Sequence, residues 1–333
     1  VPRENPTGLY RRRFMLPASA SGQRVFIHFG GVDSAFYLWL NGRKIGFSKG
    51  RRVPAEFEIT DAVRAGENIV AVQVIQWSSG SYLEDQDTWW LSGIFRNVTL
   101  YIRPKTYIRD VRVRASLENN YRDGVLELKT DLAGDAAATA TVSAVLYDGD
   151  KPVATIADAL SARAALPNAK PWTAETPNLY TLVVELKDKA GKVLEAARFR
   201  VGFRTVEIKD KNLRVNGKAI IIKGVNRHDF HPDHGRYVPY EAMVQDILLM
   251  KRHNVNAVRT CHYPNDNAFC DICDEYGIWV LDAADIETHG YGGSGPNNEL
   301  FSQPDWTHAF GARAERVIDP DNDTPCVIIW LMG

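Results

Sequence analysis

Ile278-Trp279-Val280-Leu281-Asp282-Ala283-Ala284-Asp285-Ile286-Glu287-Thr288-His289 is the stretch on which the fold turns. A short apolar run gives way to acids and an imidazole. Strands of a parallel sheet, buried on both faces, read as such runs, and in a strand-helix barrel the functional side chains stand where strands finish. Three more stretches repeat the pattern. Ile220 to Val225 leads into Asn226-Arg227-His228, Val255 to Val258 into Arg259-Thr260-Cys261-His262, and Val327-Ile328-Ile329-Trp330-Leu331-Met332-Gly333 closes the sequence. The four runs are expected to be consecutive barrel strands sharing one mouth, with the sequence stopping half way round.

Helical patterns separate the runs. Pro239 opens the first, with Met243, Val244, Ile247, Leu248 and Met250 on one side. Glu241 near its start and Lys251, Arg252 and His253 at its end suit the helix dipole, and Asn254 is placed to cap it. The second, Asp266 to Tyr276, stops at Gly277, a natural left-handed cap. The third puts Trp306, Phe310, Ala314 and Val317 on one face, before a loop holding Pro320 and Pro325. Gly290 to Pro296 reads as a mobile glycine-rich loop rather than a phosphate cradle, because no Lys-Ser/Thr follows.

Upstream of Gly202 the period is two. Arg24 to Phe29, Ile69 to Ile75 and Asn97 to Ile102 predict strands of a first sandwich, and Asn41-Gly42 predicts a tight hairpin between two of its strands. From about Thr106 to Phe203 a second set, with Val125 to Thr130, Thr141 to Tyr147 and Thr181 to Lys187, fits an immunoglobulin-like sandwich. Asp148-Gly149 and Ala190-Gly191 supply its turns. The expected division is therefore 1–105, 106–203 and 204–333. This is a multidomain β plus α/β protein.

Composition narrows the partners. With 333 residues, 45% apolar, 24% charged and a formal net charge of -1, the chain offers no electrostatic case for nucleic acid or a membrane surface. No apolar run is long enough to span a bilayer. The start has neither the basic nor the apolar region of a signal peptide and lacks an initiator Met, so upstream sequence is expected. Four cysteines, Cys261, Cys270, Cys273 and Cys326, form no framework of a small secreted domain, and a reducing, cytoplasmic compartment is expected. Cys270 and Cys273 make a Cys-x-x-Cys, but Phe269, Ile272, Cys273 and Tyr276 share a helical face, which favours core packing over a redox or zinc role.

Glu287 and His289 are the sharpest pair in the sequence. Two residues apart on an extended segment, they point the same way and could converge on one cation. Oxygen ligands favour magnesium and an imidazole alone would suggest zinc, while a hydrogen-bonded pair at a strand end is the structural alternative. His228 and His262 follow successive strands with Arg227 and Arg259 close by, as donors for the hydroxyls of a neutral sugar. Singly each histidine reads as structural, and a three-histidine zinc site competes, although no His-Glu-x-x-His helix supports it. Trp77 to Trp90 mixes acids, small residues and indoles, which could grip a sugar or a cation. A sandwich loop whose Trp residues pack inward is slightly favoured.

Longer motifs carry a resemblance. Glu4-Asn5-Pro6-Thr7-Gly8, Gly80-Ser81-Tyr82-Leu83-Glu84-Asp85-Gln86-Asp87, Ser92-Gly93-Ile94-Phe95-Arg96, Gly224-Val225-Asn226-Arg227-His228, Val258-Arg259, His262-Tyr263-Pro264-Asn265 and Ile286-Glu287-Thr288-His289-Gly290 resemble the large bacterial β-galactosidases of glycoside hydrolase family 2. The resemblance covers almost the whole chain. It implies a jelly-roll sandwich of sugar-binding type, an immunoglobulin-like sandwich and the first half of a (β/α)8 catalytic barrel.

By the same resemblance, Glu287 and His289 would hold magnesium, and Asp87 would reach a galactosyl hydroxyl and a sodium ion. His228 and His262 would contact substrate or transition state, and Arg259 would hold the nucleophile. Retaining hydrolysis needs two carboxylates about 5–5.5 Å apart, and both are expected beyond Gly333, so no catalytic residue is placed in these 333 residues and the chain alone is expected to be inactive. The substrate class would be a β-galactoside such as lactose, and the parent a homo-oligomer. A β-glucuronidase, a β-mannosidase or a non-catalytic sugar-binding β module are the alternatives. Asp282-Ala283-Ala284-Asp285 departs from the family's Asp-Glu-Ala-Asn, so a carboxylate is lost near the site and an amide becomes an acid. Cys261 stands where Ser is common.

Overall fold

The computed structural model describes residues 3–291, 300–321 and 324–332. The first unit is an antiparallel sandwich. One sheet runs in the order Thr7–Leu16, Gly66–Ile75, Ala35–Leu40, Arg43–Lys49, and the facing one Ala55–Glu58, Arg24–Phe29, Val98–Arg103. Val25, Ile27, Phe29, Phe36, Leu38, Leu40, Val72 and Val74 fill the space between them. Asn41 and Gly42 make the expected hairpin, at φ of 51° and 84°, the positive values such a turn requires.

The second unit is also a sandwich. Thr106–Glu118, Asp123–Gly134 and Ser161–Leu166 face Lys151–Ile156, Thr141–Asp148, Tyr180–Lys187 and Val193–Val201. Along Tyr180–Lys187 the inward positions Tyr180, Leu182, Val184 and Leu186 are buried and those between them are half-buried, the period of two that the sequence carries. One connection leaves this sandwich altogether. Trp172 and Ala174 sit in the apolar cluster of the third unit, and the Trp172 indole N–H donates to the carbonyl of Asp274 at 2.9 Å.

The third unit holds four parallel strands in chain order: Gly224–Arg227, Ala257–Thr260, Trp279–Ala283 and Val327–Leu331. Helix α1 (Tyr240–Arg252) and helix α2 (Asn267–Tyr276) follow the first two strands, and α3 (Thr307–Asp321) precedes the fourth. Asp266 caps α2 by accepting the Ala268 N–H at 3.0 Å, and Gly277 ends it at φ 74°. Met243, Ile247, Phe269, Ile272 and Cys273 pack on Val258, Val280 and Val327.

Three expectations need correction. The first apolar run is not a buried strand: pairing starts only at Gly224, and Ile221 is 76% and Val225 40% exposed. It is the edge of the sheet, so among the described residues no strand pairs with its outer side. Pro320 falls within the bounds of α3 rather than in the following loop. The indoles of the first sandwich's long loop do not turn inward, since Trp89 is 59% and Trp90 38% exposed, whereas Leu83, Glu84 and Gln86 are buried. Of the Gly290–Pro296 loop, residues 292–296 lie outside the described residues.

Candidate active site

The third barrel strand and the first sandwich meet by backbone pairing. Past Ala283 the chain runs through Ala284 and Asp285 to Glu287, whose N–H donates to the Leu83 carbonyl at 2.7 Å. Its own carbonyl accepts the Asp85 N–H at 2.9 Å. This short parallel bridge is sealed by side chains: Gln86 donates to Asp285 at 2.9 Å, the Gly290 N–H reaches Asp85 at 2.6 Å, and Arg313 of α3 pairs with Glu84. The loop of the sandwich thereby becomes part of the barrel mouth. The acids pack against the barrel, and Trp89, though 59% exposed, stacks on Phe230 at the barrel's rim with ring centroids 4.1 Å apart.

That docking places Asp87 among the barrel residues. Asp87 lies close enough to Glu287 and to His228 to raise the pKa of each. His228 and His262 meet edge to face, with ring centroids 6.1 Å apart, and His262 in turn faces Glu287. The His289 Nδ1 lies 3.7 Å from Glu287 Oε1. Thus Asp87, His228, His262, Glu287 and His289 are neighbours at the barrel mouth. Arg259 is half-buried on the second barrel strand, and its charge is felt at the Cys261 thiol. Among the described residues no hydrogen bond or ion pair joins its side chain to the five.

Charge at the mouth follows from burial. Loss of water raises the Glu287 carboxyl above its ordinary value, opposed by His262 and His289 and reinforced by Asp87 and Asp85. Burial also lowers His228, helped by the His262 ring and the Arg52 guanidinium, so its imidazole is held neutral. Glu287 Oε2 is buried without a hydrogen-bond partner. An orphaned carboxylate oxygen beside an imidazole fits a cation held by Glu287 and His289. Among the described residues no group of three or more His, Cys, Asp or Glu side chains is placed to hold a metal ion, so this pair would need further donors.

The sequence reading passed over the layer beneath. Arg51 and Arg52 are both 1% exposed, Arg51 pairs with Asp33 and donates to the Glu84 carbonyl, and Arg52 lies on the ring of Tyr263. Arg96 and Arg227 both bind Asp229, next to His228. The adjacent arginines before Pro54 were the available signal. Asp285 is buried at this seam, where it adds to the burial that pushes Glu84 up to about 8. Cys270, Cys273 and Cys326 gather elsewhere, in the barrel core, and burial raises the Cys273 and Cys326 thiols.

Comparison with known proteins finds three successive matches along the chain. Residues 1–104 match the sugar binding domain of glycosyl hydrolases family 2, residues 106–204 the family 2 domain itself, and residues 206–333 its TIM barrel domain. The chain belongs to glycosyl hydrolase family 2. Among family members, it is 46% identical to a β-galactosidase of Photobacterium profundum and 43% to one of Priestia megaterium, with 100% and 99% of this chain aligned. It spans about a third of the length of these curated relatives, 33% and 34%. A solved structure, the Bifidobacterium dentium β-glucuronidase complexed with coumarin-3-O-glucuronide, superposes with a TM-score of 0.89 at 25% identity, over 98% of this chain and 59% of that one. No helix among the described residues is long and apolar enough to cross a membrane.

Proposed function

We propose that this chain supplies the sugar-holding and cation-holding part of a retaining β-galactosidase acting on terminal β-galactosides such as lactose. The observation that carries the reading is the convergence of Asp87, from the sandwich, with His228, His262, Glu287 and His289 at the barrel mouth. Identity of 46% to β-galactosidases supports galactose over the glucuronide of the structural neighbour, which stands at 25%. His228 and His262 would donate to sugar hydroxyls, and Asp87 would accept from one. Glu287 and His289 would hold magnesium, which supplies positive charge beside developing negative charge. Asp87 would also hold sodium, and Arg259 would orient the nucleophile.

The two carboxylates of double displacement, a general acid/base and a nucleophile about 5–5.5 Å apart, are assigned to sequence past Gly333. The working enzyme is proposed as a cytoplasmic homo-oligomer, and the free cysteines among the described residues suit a reducing compartment. The 333-residue chain is expected to give no turnover of an aryl β-galactoside at the rate of the relatives, since an acid/base alone is worth about 10²–10⁴. Calorimetry should find magnesium affinity weakened about a hundredfold or more by Glu287→Gln or His289→Ala, because even partners behind a ligand are worth 10–100-fold. Unchanged affinity in both variants, or full turnover by the chain alone, would falsify the reading. If residues 1–203 alone bound galactosides in calorimetry, a sugar-binding module would be the better description.

A further inference from the structure

Tyr263 is fully buried, and its hydroxyl has a closed set of neighbours. The backbone N–H of Asp229 donates to it at 3.1 Å, and His228 Nδ1 lies 3.2 Å away. A phenol carries one proton, and a buried hydroxyl needs an acceptor for it. The Asp229 contact uses a lone pair and leaves that proton free. Among the described residues His228 Nδ1 is the hydrogen-bond neighbour able to take it. The proton that a neutral imidazole retains must then sit on Nε2, the ring's other nitrogen, which has no protein partner among the described residues.

A second layer stands under the tyrosine. The guanidinium carbon of Arg52 lies 3.6 Å from the Tyr263 ring centroid, and Phe95 is 5.3 Å away on the same cation. All three of its guanidinium nitrogens are buried without a hydrogen-bond partner. A cation on the face of a phenol draws electron density from the ring, which makes the hydroxyl a better donor and a poorer acceptor. The same positive charge disfavours a second proton on His228.

We propose that Tyr263 is a positioning residue that fixes His228 in its Nε2–H form, with Arg52 beneath the ring enforcing the direction of the bond. His228 then meets whatever enters the mouth as a hydrogen-bond donor and never as an acceptor. For the sugar site proposed above, it would contribute an N–H aimed at a hydroxyl oxygen, and that identification of the ligand rests on the proposed function. The assignment of the tautomer does not.

The test is long-range ¹H–¹⁵N correlation on the full chain labelled at histidine and recorded without sugar, with His228→Gln identifying the His228 signals. The expected spectrum shows a proton on Nε2 and a bare Nδ1, and Tyr263→Phe should turn it into a mixture of tautomers. A proton on Nδ1 in the unsubstituted chain overturns the proposal, as does a Tyr263→Phe spectrum identical to the original. Should the Phe variant fail to fold, the unsubstituted chain still decides, through a correlation between the Tyr263 hydroxyl proton and Nδ1 or its replacement by an Nδ1 proton. Because no sugar is present, a failed galactosidase assay leaves the result standing.

Discussion

Asp274 shows how burial sets charge inside this protein. The residue is 3% exposed on α2, its Oδ1 accepts the Cys326 N–H at 2.7 Å, and loss of water pushes its carboxyl up to about 7. A carboxyl raised above its unfolded value of 3.8 contributes stability that is complete below about pH 4 and lost as pH rises through about 7. Asp274→Asn keeps an oxygen for the Cys326 N–H and removes the titration. Relative to the unsubstituted chain, the variant should therefore gain on the order of 2 kcal/mol between pH 5 and pH 8, read by urea unfolding at both values. A parallel pH dependence of the two proteins would sink the argument. At this scale the sequence discloses residues that announce their own chemistry, such as Glu287 and His289 at a strand end. Tyr263 and Arg52 escape it because a tyrosine within a motif and an arginine in a basic pair acquire meaning only from what is stacked on them.

The elements that matter most are the loop of residues 83–87 and α3, which grip each other across the seam. Arg313 of α3 pairs with Glu84, whose side chain is fully buried. Burial and the neighbouring Asp285 raise Glu84 to about 8, while Arg313 and Arg51 oppose them. Below that pH Glu84 is protonated and Arg313 serves as a hydrogen-bond donor; above it Arg313 is a counter-charge. Loss of Arg313 raises Glu84 further, so Arg313→Met is expected to cost about 1 kcal/mol at pH 6 and up to about 1.4 kcal/mol more at pH 9, where the variant must keep a proton that the unsubstituted protein has released. Adding Glu84→Gln should remove most of the excess at pH 9. Denaturant unfolding of the single and double variants checks this, and a cost that does not grow with pH would refute it. The elements themselves were largely legible, since the hairpin at Asn41-Gly42 and the stop at Gly277 follow from local backbone demands. The docking of the loop was not. Its acids and indoles have the same spacing whichever set faces the barrel, and only the bridge to Glu287 decides between them.

For the whole molecule, chain division and physical division differ. A cut at residue 204 follows the change of period, yet Trp172 lies upstream of it and is fully buried in the barrel core beside Ala174. Removing an indole from a packed core costs about 3–5 kcal/mol, and the carbonyl of Asp274 would lose its donor as well. The same cut strips the site layer. Asp229 loses Arg96 and Asp285 loses Gln86, so hydrogen bonds to two charged carboxylates at the opened seam are lost, worth about 1.5–3 kcal/mol each. Exposed backbone along the Gly224–Arg227 edge, with Ile221, Ile222 and Val225 already open to water, adds a template for pairing with other copies. Against a typical total stability of about 5–15 kcal/mol, these losses are decisive. Residues 204–333 expressed alone should aggregate or remain unfolded, whereas residues 1–333 should be more stable and less prone to aggregate. Light scattering and thermal unfolding of the two chains at equal concentration distinguish the cases. A monomeric, cooperative melt of 204–333 would show that the barrel strands carry their own core and that the sandwiches merely decorate it.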